Sequence, residues 1–182
     1  VELQQIEPAE VRSCMGYVGQ DPQLFMGTLR ENMVLAESWI SDSKIIEVLK
    51  ALGLYEMVAT HPRGLDMPIT EGGGGLSGGQ RQLLSIARMM LRDPQLVFMD
   101  EPTSGLDVSV QARLLDLLRQ LTRQMQLAVV IVTHDLAVAR LLAHRMMVMQ
   151  QGRVVEAGLT DQVLDDPQHA YTQLLVSSVL QP

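Results

Sequence analysis

Three groups of residues in this chain could together bind and process a phosphate group. They are the glycine-containing run Leu76-Ser77-Gly78-Gly79-Gln80, the acid pair Asp100-Glu101 and the single residue His134. Glycine lets the backbone come close to an anion, and the residues after the run favour a helix, whose N-terminal N–H groups would face that anion. Carboxylates after an apolar strand can hold a metal ion and orient water. The spacing therefore predicts phosphate chemistry.

One element of a nucleotide site does not occur in these residues. The sequence holds no run of the form G-x-x-x-x-G-K-[ST], the loop that wraps phosphates. Val1 is not an initiator methionine, and no charged and apolar leader follows it, so a truncated chain is the expected explanation. We expect the chain alone to be inactive as an ATPase.

Four ordered motifs resemble the nucleotide-binding domain of ATP-binding cassette (ABC) proteins. They are LSGGQ at 76–80, LVFMDEP at 96–102, SGLD at 104–107 and VTHD at 132–135. In that family the signature LSGGQ touches the γ-phosphate of an ATP held by the other subunit of a head-to-tail dimer. The resemblance therefore implies ATP and Mg²⁺ as cofactors and a second ABC ATPase subunit as partner. A non-catalytic fragment that contributes only signature residues in trans is an alternative.

The resemblance also implies roles for single residues. Asp100 would be the Walker B aspartate that holds Mg²⁺ directly or through water, and Glu101 would orient or deprotonate the attacking water. An alternative is that this acid pair merely caps a turn. His134 matches the histidine that contacts the γ-phosphate, and Gln20 matches the Q-loop glutamine that reaches the metal or water shell. Asp107 resembles the D-loop aspartate at the dimer contact, and it could also cap the following helix.

The two parts of the chain resemble different branches of this family. Residues 1–93 resemble the ATPase domain of type I secretion exporters, and residues 95–182 resemble oligopeptide-type importer ATPases and especially the ATP-binding subunit of the carbon–phosphorus lyase (phosphonate) system. A natural or assembled hybrid is one interpretation. The first part favours a transmembrane exporter or permease as partner, whereas the second favours a carbon–phosphorus lyase core complex.

An α/β frame is needed to position the functional residues. Apolar runs predict strands at 96–99 and 128–132 with a helix over 108–124 between them, which is typical of a parallel sheet with right-handed crossovers. We expect a P-loop NTPase-like ABC ATPase core that lacks its N-terminal strands and Walker A loop. The expected parts of 1–182 are a helical signature subdomain at about 30–90, a core with the Walker B, D-loop and H-loop motifs at about 94–158 and a helical tail at 159–182.

Further elements are predicted around this frame. Helical spacing predicts a helix over 43–54, a breaker-rich loop over 61–75 leads into the signature helix, and a turn at Gln151-Gly152 predicts a hairpin. Two short helices are expected in the tail.

Composition limits the partners and the compartment. The net charge of −7 argues against binding nucleic acid, which requires clustered Lys and Arg. No apolar stretch approaches the about 20 residues that a membrane span needs. The single Cys14 excludes an internal disulfide and is compatible with a reducing compartment. We therefore expect a cytoplasmic protein that could dock on the inner face of the cell membrane.

Overall fold

The computed structural model describes residues 5–35, 37 and 39–179, and the chain divides into two compact units, Val1–Val132 and Thr133–Pro182. Val1, on which the inference of truncation rests, lies outside the described residues. In chain order the first unit contains α1 (Pro8–Cys14), β1 (Met15–Val18), β2 (Gly27–Thr28), α2 (Leu29–Val34), α3 (Asp42–Ala51), α4 (Tyr55–Ala59), β3 (Pro68–Ile69), α5 (Gly78–Met90), β4 (Leu96–Asp100), α6 (Val108–Met125) and β5 (Ala128–Val132).

A parallel sheet of order β1-β4-β5 forms the centre of the first unit. Val18 lies opposite Met99 in the β1–β4 pair, and Asp100 lies opposite Val132 in the β4–β5 pair. Helix α6 makes the connection between β4 and β5, as a parallel crossover requires. The predicted α/β fold with parallel strands is therefore confirmed, and the carboxyl ends of the three strands lie at one edge.

Helix α5 packs its apolar face against this sheet. Its fully or nearly fully buried apolar side chains recur at helical spacing and include Leu84, Ile86, Ala87, Met89 and Met90. Each fully buried Leu, Ile or Met side chain contributes about 1.5–3 kcal/mol to folding. On β1, Gly16 permits a close approach, because a methyl group added there would lie 2.6 Å from Met89 Cγ. The sheet thus fixes the position of the helix that carries the signature.

Two local elements were not expected from the sequence. The breaker-rich loop predicted over 61–75 does lead into the signature helix, but it contains the two-residue strand β3, which pairs antiparallel with β2 and was not predicted. A strand of two residues is too short to show the alternation of apolar and polar side chains by which strands are recognised in a sequence. Helix α1 was also missed, although Pro8 stands in its first turn, where proline is favoured.

The second unit combines a β-hairpin with short helices. Its elements are α7 (Leu136–Leu142), β6 (Arg145–Gln150), β7 (Arg153–Leu159), α8 (Thr160–Asp165) and α9 (Ala170–Val179). The predicted hairpin and the two tail helices are confirmed. Gln151 and Gly152 both have positive φ at the hairpin turn, as a tight turn of this hand requires. No helix in the described part of the chain is long and apolar enough to cross a membrane.

Glu156 of β7 holds the segment that leads into α9. Its two carboxylate oxygens accept hydrogen bonds from the N–H groups of Gln168 at 2.8 Å and His169 at 3.0 Å. The Gln168 N–H, with a smaller contribution from that of His169, lowers the pKa of Glu156 below its ordinary value. The charged form of this carboxylate therefore stabilises the second unit.

This pKa shift predicts a pH dependence of stability. A lowered pKa in the folded state means that the stabilisation is present above the ordinary value of 4.5 and is lost as the pH falls through the folded pKa. We expect Glu156→Gln to unfold at lower temperature at pH 7 and to lose less further stability than the wild type between about pH 5 and pH 3. Thermal unfolding followed by circular dichroism measures this, with the exposed Asp166→Asn as control. An equal loss on acidification in wild type and Glu156→Gln would contradict the prediction.

Candidate functional site

The glycine run forms the N-terminus of α5. Ser77 is the N-cap, and its Oγ accepts the Gln80 N–H at 3.1 Å, while Gln80 Oε1 accepts the Ser77 N–H at 2.9 Å. This reciprocal pair is a capping box, a role for Ser77 and Gln80 that the S-x-x-Q spacing signals and the sequence analysis missed. The carbonyl oxygen of Leu76, just before the cap, accepts a hydrogen bond from Arg81 Nη1 at 2.7 Å. The helix start is thus ordered by its own residues.

The capped helix end leaves donors for an anion. The N–H groups of Gly78 and Gly79 belong to the first turn, where no intrahelical acceptor exists, and the helix dipole adds positive charge there. A cavity of about 840 Å³ adjoins this end, and its lining includes Ser77, Gly79 and Gln80. The geometry therefore suits contact with a phosphate.

The glycine run also lies beside the SGLD loop. A methyl group added at Gly78 would lie 3.7 Å from Leu106 Cδ2 and 3.9 Å from the Gly105 carbonyl oxygen. At Gly79 an added methyl would lie 2.6 Å from Val110 Cγ1, in the first turn of α6. The structure therefore brings together two of the four motifs, and the absence of a side chain at Gly79 allows α6 to approach the signature helix.

The acid pair lies at the carboxyl edge of the sheet. Asp100 is the last residue of β4, and its neighbour Glu101 donates its N–H to the Val132 carbonyl oxygen at 2.9 Å, which extends the β4–β5 pairing by one residue. Glu101 has φ +45°, a left-handed conformation that is uncommon for residues other than Gly, Asn and Asp. Such backbone strain costs about 1–3 kcal/mol and concentrates at functional sites. Both acids are half-buried.

Gln20 reaches the same edge from β1. Its Nε2 donates to Ser104 Oγ at 3.2 Å, and the Ser104 N–H donates to the Glu101 carbonyl oxygen at 3.0 Å. The structure thus brings Gln20 to the loop that follows the acid pair. Ser104 was not selected from the sequence, because nothing in the SGLD motif alone indicates a partner for Gln20.

The two remaining predicted residues have different surroundings. Asp107 occupies the N-cap position of α6, but its side chain makes no capping hydrogen bond, so the capping interpretation was wrong. Its exposed carboxylate remains available for a contact with another subunit. His134 lies in the second unit between Thr133 and Asp135, and Asp135 caps α7 by accepting the N–H groups of residues 137 and 138. Thr133 Oγ1 accepts the Asp135 N–H at 3.1 Å, which orders the turn that carries His134.

The carboxylates fit a magnesium ion better than a metal held by protein alone. The described residues contain no group of three or more His, Cys, Asp or Glu side chains that could hold a metal ion. Mg²⁺ usually takes one or two carboxylates and fills its other positions with water and phosphate oxygens. If Mg²⁺ binds at this edge of the sheet, the half-buried Asp100 carboxylate and the Gln20 amide oxygen are the groups that would hold it.

Comparisons with known proteins agree with the four motifs. The family model described as "ABC transporter" matches residues 1–104, and one described as "AAA domain, putative AbiEii toxin, Type IV TA system" matches residues 71–140. The chain therefore belongs to the ABC transporter ATPase family. It aligns over 99% of its length with a solved "bacterial Atm1-family ABC exporter with ATP bound", of which it covers 31%, at a TM-score of 0.85 and 23% identity, which supports the fold alone.

Curated relatives are more similar in sequence. The "putative phosphonates utilization ATP-binding protein PhnK" of Escherichia coli is 70% identical over 116 residues, which are 64% of this chain and 44% of that protein. The "dipeptide transport ATP-binding protein DppF" of Haemophilus influenzae is 35% identical over 167 residues, which are 89% of this chain and 48% of that protein. The chain thus spans less than half the length of both relatives.

The close approach of Val110 to Gly79 predicts that position 79 of the signature has no room for a side chain. Gly79→Ala should lower the free energy of unfolding by about 1–3 kcal/mol, because the added methyl overlaps the stiff Val110 side chain. Gly78→Ala is the matched control, since its methyl would make only ordinary contacts with Leu106. Urea unfolding of both variants and of Gly79→Ala/Val110→Ala measures the effect. If the second substitution restores none of the lost stability, the proposed overlap is wrong.

Proposed function

We propose that this chain is part of an ABC-type ATPase and acts on Mg-ATP together with a second subunit. The observation that carries the proposal is the N-terminus of α5, where Ser77 and Gly79 line a cavity and Gly78 adjoins the SGLD loop. Because these 182 residues hold no G-x-x-x-x-G-K-[ST] run, the loop that wraps the phosphates has to come from residues outside them. In a head-to-tail dimer, the signature of one subunit would face the nucleotide that the other subunit holds.

The individual residues would divide the work as follows. Bound Mg-ATP supplies a γ-phosphoryl group whose negative charge the metal partly neutralises. Asp100 would hold the Mg²⁺, and Glu101 would orient or deprotonate the attacking water. Gln20 would complete the metal or water shell, and His134 would contact the γ-phosphate. Asp107 would make a contact across the dimer.

Phosphonate utilisation is the process that we favour for this ATPase. Its support is the 70% identity, over 116 residues, to the phosphonates utilization protein PhnK of Escherichia coli. The partner would then be a carbon–phosphorus lyase core complex. Peptide import with a transmembrane permease is a second candidate, supported by the DppF protein of Haemophilus influenzae, which aligns over 89% of this chain.

Three further hypotheses about the function can be tested by experiment. Type I secretion rests on the resemblance of residues 1–93, and a hybrid chain would join that part to one of the phosphonate type. A fragment that contributes only its signature to a partner's site would bind nucleotide without turnover. In every case we propose a cytoplasmic location, at or near the inner face of the cell membrane when a permease is the partner.

Glu101 provides the direct test of the ATPase proposal. We expect no ATP hydrolysis by the isolated chain above that of Glu101→Gln, because the phosphate-wrapping loop is not in these residues. When the chain is completed by a polypeptide that supplies G-x-x-x-x-G-K-[ST], we expect turnover, and Glu101→Gln should lower it by about 10²–10⁴-fold. Phosphate release measures turnover, and a fluorescent ATP analogue measures binding.

The control separates catalysis from folding. Glu10→Gln removes an exposed carboxylate of α1 and should leave turnover unchanged. Glu101→Gln should keep nucleotide binding, because the residue acts on water rather than on the nucleotide. Robust turnover by the isolated 182 residues, or equal turnover of the completed wild type and Glu101→Gln, would refute the proposal.

A further inference from the structure

We propose that Arg88 and Asn32 are positioning residues for Gln20, because they fasten the segment that follows Gln20 to the signature helix. This inference rests on the proposed function for its consequence, since Gln20 matters there as a group near the metal or water. The linkage itself is a property of the first unit and can be measured without nucleotide.

Arg88 lies on α5, ten residues beyond the first residue of that helix, and reaches the chain after Gln20. Its Nη1 donates to the Gln23 carbonyl oxygen at 3.0 Å, and its Nε donates to the Asn32 carbonyl oxygen at 2.9 Å. The guanidinium carbon also lies 5.6 Å from the centre of the Phe25 ring, within the range of a cation–π contact. The contacts with Gln23 and Phe25 hold the segment after Gln20 against the signature helix, and the contact with Asn32 ties the same guanidinium to α2.

Asn32 completes the attachment from α2. Its buried amide oxygen accepts the Phe25 N–H at 2.8 Å and Arg88 Nη2 at 3.3 Å, and its Nδ2 donates to the carbonyl oxygens of Phe25 at 2.8 Å and Thr28 at 3.0 Å. Both donor hydrogens and both acceptor positions of the amide are used. Because a buried polar group that loses its partner costs about 1–3 kcal/mol, this arrangement resists distortion.

The charge on Arg88 strengthens these bonds. Burial, and to a lesser extent the neighbouring charge of Arg92, lowers the pKa of Arg88, but an arginine remains protonated in proteins. Hydrogen bonds from a charged donor to carbonyl oxygens are stronger than neutral ones. The attachment therefore depends on the guanidinium and not only on packing.

A short span joins this attachment to the acid pair. Gln20 is bonded to Ser104 at the carboxyl edge of the sheet, and Gln23 is bonded to Arg88 on the signature helix. The three residue steps between them can reach at most about 10 Å. The span is also stiffened, since Pro22 has a fixed φ and Gln23 Nε2 donates to Asp21 Oδ2 at 2.9 Å. The signature helix and the Gln20 side chain are therefore joined by a short span that contains one fixed φ.

The position of Gln20 would thus report the position of the signature helix. If the nucleotide of a partner subunit binds the N-terminus of α5 and the helix moves, the contacts of Arg88 would move the segment that follows Gln20. The Gln20 amide would then change its position relative to the metal and its water. Breaking the attachment should leave both ends folded while it releases Gln20 from the helix.

Two measurements on the isolated chain test this linkage. Amide hydrogen exchange should become at least about tenfold faster at Phe25 in Asn32→Ser, which removes the acceptor of that N–H. Exchange there should also become faster in Arg88→Lys, which keeps the charge but lacks the planar fork. Arg92→Lys, in the turn that follows α5, is the control and should leave the exchange unchanged.

The second measurement observes Gln20 itself. The ¹⁵N side-chain resonance of Gln20 should move in Arg88→Lys in the same direction as in Ser104→Ala, which removes its hydrogen-bond acceptor. A merely structural role of Arg88 would not move this resonance, because Arg88 does not touch Gln20. Asn32→Ser provides the same readout if Arg88→Lys fails to fold.

The outcomes distinguish the linkage from the ATPase proposal. Faster exchange at Phe25 together with a shifted Gln20 resonance supports the inference. Unchanged exchange at Phe25 in Asn32→Ser refutes the attachment, and an unmoved Gln20 resonance in Arg88→Lys and Asn32→Ser, with a clear shift in Ser104→Ala, refutes the positioning role. Neither readout uses ATP, so a failure of the Glu101→Gln experiment would leave both results interpretable.

Discussion

The close packing of α5 on the parallel sheet is the contact on which the first unit depends. It requires a position without a side chain on the strand, Gly16, and a buried face on the helix that ends at Met90. With that contact in place, the N-terminus of α5 is held beside the SGLD loop and its last turn, which carries Arg88, is held beside the segment after β1. One helix therefore carries both the anion-facing glycines and Arg88, and its placement decides the geometry of each.

The central part of this architecture could be predicted because it follows from strong patterns. The strand predicted at 128–132 is a continuous apolar run and coincides with β5, and the helix predicted over 43–54 from its helical spacing corresponds to α3. Elements without a period could not be predicted in this way. The pair β2–β3 has two residues in each strand, and its register depends on contacts between Gly27-Thr28 and Pro68-Ile69, which are far apart in the chain.

The candidate site was predictable in composition but not in arrangement. Motif order identified Gln20, the acid pair and the glycine run, whereas the partner of Gln20, Ser104, depends on how two strand ends meet in space. The left-handed backbone of Glu101 carries no sequence signal, since glutamate is not a residue that favours this conformation. The capping box at Ser77 and Gln80 did carry one, in the spacing of the two residues. The sequence therefore predicts which residue types the candidate site contains, but it does not predict which of them make contacts across the fold.

Strand β5 has a neighbour on one side only among the described residues, and its side chains are poorly covered, with Val130 39% and Val132 59% exposed. The free side of such a strand presents N–H and C=O groups at the regular spacing of a ladder. A complementing polypeptide could be captured there by backbone pairing alone, with little demand on its side chains. The same groups are a template for pairing between copies of the chain, so the state of the purified chain is expected to depend on its concentration.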